Sequence, residues 1–147
     1  MNTSLESAVD ELRRLEDSAL ERYRALAPQV AGPAERRLAE SVIDRKGSHA
    51  SKLAALAKSP VGLLVELPDG WPFPPPAPAG AAAAEPASAL LSLLRDEESA
   101  LSRSYSALAD ATAGAAPETA FALRSLADSS GKFALWAEEH LELLGLG

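Results

Sequence analysis

The sequence predicts an all-α four-helix bundle, and three observations carry that prediction. Leu and Ala, both strong helix formers, supply most of the apolar residues, while the strand-favouring Val, Ile and Thr are scarce. Several stretches place apolar residues at alternating steps of three and four, which keeps one helix face turned inward. The second half of the chain also repeats the pattern of the first, so one helical hairpin is used twice, with a proline-rich segment between the copies.

The first helix is expected over about residues 3–31. Thr3 or Ser4 can cap it, and Glu6 lies three residues after Thr3, as in a capping box. Its stripe is Leu5, Val9, Leu12, Glu16, Ala19, Tyr23, Leu26 and Val30, with Glu16 the one carboxylate on the buried side. Gly32 and Pro33 mark the turn, and Pro33 suits the first position of a second helix over about 33–58. Leu38, Val42, His49, Leu53 and Leu56 form that helix's stripe, and Ser59-Pro60 ends it.

A crossover is expected over about 59–86. Gly62 to Leu67 is short and apolar, and its sequence leaves its conformation open; Pro68-Asp69-Gly70 is a turn signal. Residues 71–86 hold six prolines in sixteen positions, which excludes a regular helix or a central strand. In polyproline II geometry, at about 3.1 Å per residue, such a segment reaches from one end of a bundle to the other. Trp71 and Phe73 are expected to anchor it, and Trp136 is placed with them as a docking aromatic. A Pro-x-x-Pro recognition motif is the other reading of Pro72–Pro75 and Pro75–Pro78.

The third helix is expected over about 87–112, with Leu91, Leu94, Glu98, Leu101, Tyr105 and Leu108 inward, again including one carboxylate. Gly114 breaks it. Pro117 opens a fourth helix over about 117–145, with Leu126, Phe133, Ala137, His140 and Leu144 on one face and Gly145 as C-cap. The 147 residues make one domain, 1–147, in this reading.

Composition narrows the function. The net charge of −7 repels phosphate backbones and anionic membranes, so neither nucleic acid nor membrane is an expected partner. No apolar run approaches the roughly 20 residues that span a bilayer. Without cysteine there is no thiol nucleophile or Cys-type zinc site, and with two histidines there is little material for a catalytic triad. The amphipathic, charged N-terminus does not resemble a signal peptide, so a cytoplasmic location is expected.

The repeat is ungapped within each helix, and its second hairpin loop is two residues longer. Residues 12–27 and 94–109 both read L-R-x-x-E-x-x-x-x-x-x-Y-x-A-L-A, an offset of 82. At an offset of 84, Pro33, Ser41, Asp44, Gly47 and Ala50 match Pro117, Ser125, Asp128, Gly131 and Ala134. The small residues form a seam on the second and fourth helices, suited to close helix approach or to a ligand.

With the Glu-x6-Tyr stripe in the leading helix of each pair and the long crossover, the chain resembles the ferritin-like superfamily, in the style of rubrerythrin-type bundles. That resemblance implies a dimetal site with a Glu from each of the first and third helices and Glu-x-x-His from each of the second and fourth. Glu16 and Glu98 match the first two, and His49 matches the second-helix His. Lys46 stands three residues before it where the family has Glu, and Ser130 and Phe133 stand at the fourth-helix places. A second register offers Asp44/Gly47 and Asp128/Gly131, two carboxylates without histidine. His140 has Ala137 and Trp136 where a ligand pair would need a carboxylate, and its neighbours Glu138, Glu139 and Glu142 read as a solvated face.

The resemblance with these departures implies a bundle that has lost its dimetal site and its cofactor, acting as a non-catalytic structural or interaction protein, with a homodimer or another protein as partner. Two other readings stay open. One is a divergent oxidoreductase that binds iron or another divalent metal through Glu16, Glu98, His49, Asp44 and Asp128. The other is a small-molecule binding module in the bundle core.

Overall fold

The computed structural model describes residues 2–56, 62–76 and 85–145. Four helices dominate it: α1 (Leu5–Leu26), α2 (Pro33–Leu56), α3 (Pro86–Thr112) and α4 (Pro117–Leu143). Two three-residue strands, β1 (Asn2–Ser4) and β2 (Leu64–Glu66), pair antiparallel with Thr3 opposite Val65. None of the described helices is long and apolar enough to cross a membrane.

The N-terminal start differs from the expected capping box. Thr3 lies in β1, and Ser4 is the cap, its hydroxyl accepting from the Ser7 N–H at 3.1 Å. Glu6 instead accepts from the Gly62 N–H at 2.6 Å, tying the helix start to the chain entering β2. The Leu5 N–H donates to Leu63 O at 2.8 Å, so the residue just before β2 also satisfies a donor of the first turn. This ribbon was unreadable in the sequence because three residues are too few to show an alternating pattern.

α1 stops at Leu26 rather than near residue 31, and Ala27–Gln29 form a 3-10 turn. Pro28 explains the difference, since it has no N–H to continue the α-helical ladder. Val30 is buried nonetheless, carried inward by the turn. In α4, Leu141 is buried where His140 and Leu144 were expected; His140 is half-buried and Leu144 exposed. Gly145 ends α4 with φ +75°, and its N–H donates to Glu142 O, the left-handed cap that glycine adopts without strain. The expected end of α2 at Lys58, its Ser59-Pro60 stop and the Ala-rich half of the crossover lie outside the described residues.

The Pro68-Asp69-Gly70 signal is a β-turn, with the Trp71 N–H bonded to Pro68 O at 3.2 Å and Gly70 at φ +84°. Beyond it, Trp71 is buried and donates from Nε1 to Ser104 O at 2.8 Å. The Phe73 N–H donates to Ser104 Oγ at 2.9 Å, and Arg103 sits over the Phe73 ring. These contacts fasten the start of the crossover to α3. Trp136 is not part of that anchor; it lies on α4 beneath Arg45 of α2.

Short turns join α1 to α2 and α3 to α4, and each pair packs together. α1 and α3 also run antiparallel, because Glu16 meets Tyr105 while Tyr23 meets Glu98. α2 and α3 therefore run in the same sense, so α2 ends and α3 begins at opposite ends of the bundle. Among the described residues the core falls into two apolar clusters. One gathers Leu5, Leu12, Leu53, Trp71, Leu108 and Leu123 near the ribbon. The other gathers Val30, Val42, Leu91, Leu94, Phe133 and Leu141 at the opposite end. Buried polar side chains occupy the layer between them.

The small-residue seam does not work as close helix approach at Gly47. That glycine is exposed, and a Cβ there would meet nothing within 4 Å. A Cβ at Gly131 would touch Ser102 Oγ at 3.4 Å, so only the second copy faces a neighbouring helix.

Candidate functional site

The polar layer is built from Glu16 and Tyr23 of α1, Lys46 and His49 of α2, and Glu98 and Tyr105 of α3, all buried. The repeat explains its core. Glu and Tyr seven residues apart stand two turns apart on one helix face. When two such helices face each other antiparallel, each Glu reaches the other's Tyr. Tyr105 Oη donates to Glu16 Oε1 at 2.6 Å, and Tyr23 Oη donates to Glu98 Oε2 at 2.6 Å.

Lys46 closes the cluster. Its Nζ donates to Glu98 Oε1 at 2.9 Å and lies 2.6 Å from Glu16 Oε2 as a close ion pair. One ammonium thus bridges the two carboxylates that the family resemblance marks as metal ligands. His49 Nδ1 stands 3.4 Å from Glu16 Oε1, and the ring stacks on Phe133 with centroids 5.6 Å apart. Ser130, the α4 match to Lys46, is fully buried, and its hydroxyl has no hydrogen-bond partner among the described residues.

Asp44 and Asp128 are not brought to this layer; both are exposed, so the second register does not point inward. A ring of carboxylates suited to two metal ions is also not what the side chains form. Among the described residues no group of three or more His, Asp or Glu is placed to hold a metal ion. The position between Glu16 and Glu98 is taken by an ammonium, which has no lone pair to offer a metal and repels one by charge.

The electrostatics follow from burial and pairing. Burial alone would raise the Glu16 carboxyl, but the bond with His49, the Lys46 charge and the bonds from Lys46 and Tyr105 outweigh it and bring its pKa down to about 2. Glu98 goes the other way: burial and the nearby Glu16 charge push it up, against the opposing pull of Lys46 and Tyr23. Burial disfavours the Lys46 ammonium, yet Glu98 and Glu16 more than compensate and raise it. Tyr23 and Tyr105 are held well above the usual phenol range, first by burial and then by the carboxylates each touches. At neutral pH the cluster is therefore a lysine cation with hydrogen-bonded acidic partners and neutral phenols, sealed from solvent.

Around this layer the charges are paired in ordinary ways. Arg22 contacts the mostly buried Glu97, and Arg95 bridges Asp96 and Glu138 at 3.0 Å each. Sequence reasoning found Glu16, Glu98, the tyrosines and His49, but it read Lys46 only as a misfit. The signal was present: Val42, Lys46, His49 and Leu53 follow steps of four, three and four, so Lys46 fills the gap in the α2 stripe. The chain matches no family model, no curated protein and no solved structure in comparisons with known proteins.

Proposed function

We propose that this chain is a ferritin-like bundle in which a lysine ammonium has replaced the metal pair, and that it serves as a non-catalytic structural or interaction protein. The observation that carries the reading is Lys46 Nζ at 2.6 Å from Glu16 and 2.9 Å from Glu98. Two carboxylates buried in a bundle need compensating positive charge. In a dimetal protein that charge arrives with the metals; here α2 supplies it covalently. An ammonium has no accessible redox chemistry, and Glu98 and Lys46 are closed to substrate by burial. The helix order, with α2 and α3 running in the same sense, supports the ferritin-like assignment. The polar layer's remaining role is to set the register of α1, α2 and α3.

Elemental analysis of protein purified without chelators tests this reading, with iron supplied during expression. The expected result is no stoichiometric transition metal and no oxidase or peroxidase turnover. Two metals per chain would overturn it.

A further inference from the structure

A cleft of about 280 Å³ opens between α2 and α4 on the outside of the polar layer. Its floor is the buried His49 ring stacked on Phe133. With Nδ1 turned to Glu16, the other ring nitrogen, Nε2, has no hydrogen-bond partner among the described residues. Arg45 lies along one wall, its guanidinium 5.0 Å from the Trp136 ring centroid. Lys132 and Ser129 line the α4 side.

The lining of the cleft carries two cations, Arg45 and Lys132, and no carboxylate. In a chain of net charge −7, Arg13, Arg14, Arg22, Arg95 and Arg124 all pair with carboxylates. Arg45 and Lys132, like Arg24, Arg36, Arg37, Lys52 and Arg103, have no carboxylate partner among the described residues, and these two line one cleft together. Beyond lying over the Trp136 ring, the Arg45 guanidinium makes no hydrogen bond among the described residues, so its N–H groups are available to a planar or tetrahedral oxyanion. Ser48 uses its hydroxyl proton on the Arg45 carbonyl at 2.8 Å, whereas the Ser129 hydroxyl makes no hydrogen bond among the described residues. Two cations, a free hydroxyl and an aromatic wall over an imidazole floor make a site for one negative group attached to a small flat body.

We propose that the α2–α4 cleft binds a small organic anion, a carboxylate or a phosphate monoester, through Arg45 and Lys132, with Trp136 and His49 packing against its body. The cleft is slightly below the range of about 300–1,000 Å³ typical of drug-sized ligands, so the ligand is of metabolite size. The site uses neither Glu16 nor Glu98 and shares only His49 with the polar layer.

The test uses the full chain, with Trp71→Phe as background so that Trp136 is the only indole. Fluorescence is titrated with benzoate, phenyl phosphate and inorganic phosphate at constant ionic strength. The expected result is saturable quenching by at least one organic anion with Kd below about 1 mM. Arg45→Ala and Lys132→Ala should each weaken it by roughly tenfold or more, as loss of a charge-assisted bond does. Lys52→Ala, at an exposed lysine outside the cleft, should leave it unchanged. A preference for phenyl phosphate over benzoate assigns a phosphate ester, and the reverse assigns a carboxylate. No saturable response to any of the three probes overturns the proposal, as does equal weakening by Lys52→Ala. Arg45 and Lys132 are exposed, so circular dichroism of the variants should match the parent.

Discussion

Replacing Lys46 with methionine should be among the most damaging single changes available in this chain. Met keeps the length of the side chain and removes its charge. Glu16 and Glu98, with 4% and 0% of their surface exposed, would then face each other with no cation between them. Breaking a buried ion pair by removing one partner costs about 3–5 kcal/mol, because the remaining charge stays desolvated. For a domain of this size that is a fall of roughly 6–20 °C in Tm. The triple variant Glu16→Gln, Lys46→Met, Glu98→Gln removes all the charge at once. It should recover most of the loss, since neutral replacements of a whole buried network are often near neutral. Urea denaturation followed by circular dichroism measures both. The Lys46→Met variant should also regain stability toward acid, where one carboxylate can take up a proton. In the wild type the Glu16 contribution behaves oppositely, because its depressed carboxyl adds stability above the ordinary carboxylate range and loses it as pH falls toward about 2. A loss below about 1 kcal/mol, matching that of the exposed Lys52→Met, would refute the reasoning.

Other outcomes follow from the same geometry. Tyr105→Phe leaves Glu16 without its 2.6 Å phenol donor and should cost about 1.5–3 kcal/mol, read from the urea midpoint; a change within about 0.5 kcal/mol would mean the bond carries no weight. Tyr23 and Tyr105 are the only tyrosines, so tyrosinate absorbance reports on the polar layer alone. Their pKa values and that of Lys46 are raised, so the stability they give is intact below the ordinary lysine and tyrosine range and is lost as pH rises through the raised values. Tyrosinate should therefore appear only together with loss of helical ellipticity, and a smooth phenol titration in the folded protein would contradict the burial. Gly47→Ala adds a Cβ that meets nothing within 4 Å in an exposed helical position, and should raise stability by about 0.5–1 kcal/mol in the same urea assay; destabilisation would restore a packing role for that glycine.

The fold was readable where the pattern was long. α1, α2, α3 and α4 each carry several turns of three-four spacing, and their proline starts are visible at Pro33 and Pro117. α1 ended early because Pro28 acts locally, within a stripe that continues to the buried Val30. The β1–β2 ribbon escaped because its pairing joins the N-terminus to residue 66, a contact with no local signature. The candidate site was readable for the same reason as the repeat: Glu16, Tyr23, Glu98 and Tyr105 recur at one spacing. Their reciprocal bonding needs only the antiparallel facing of α1 and α3. Lys46 was harder. A lysine in a helix is usually solvated, and what makes this one internal is the pair of carboxylates on other helices that it reaches. The α2–α4 cleft was not visible at all, because Arg45, Lys132 and Trp136 mean nothing together until two helices are placed side by side.

The central claim is that Lys46 stands in for metal, and calorimetric titration of anaerobic ferrous iron into wild type and Lys46→Glu tests it most directly. That substitution exchanges the ammonium for the carboxylate that the ferritin-like pattern carries three residues before its histidine, here His49. The account predicts no stoichiometric heat with the wild type. It predicts metal uptake by the variant, accompanied by a gain in helicity, since binding and folding are coupled when ligands are otherwise unpaired. Binding of two iron ions per wild-type chain would contradict it.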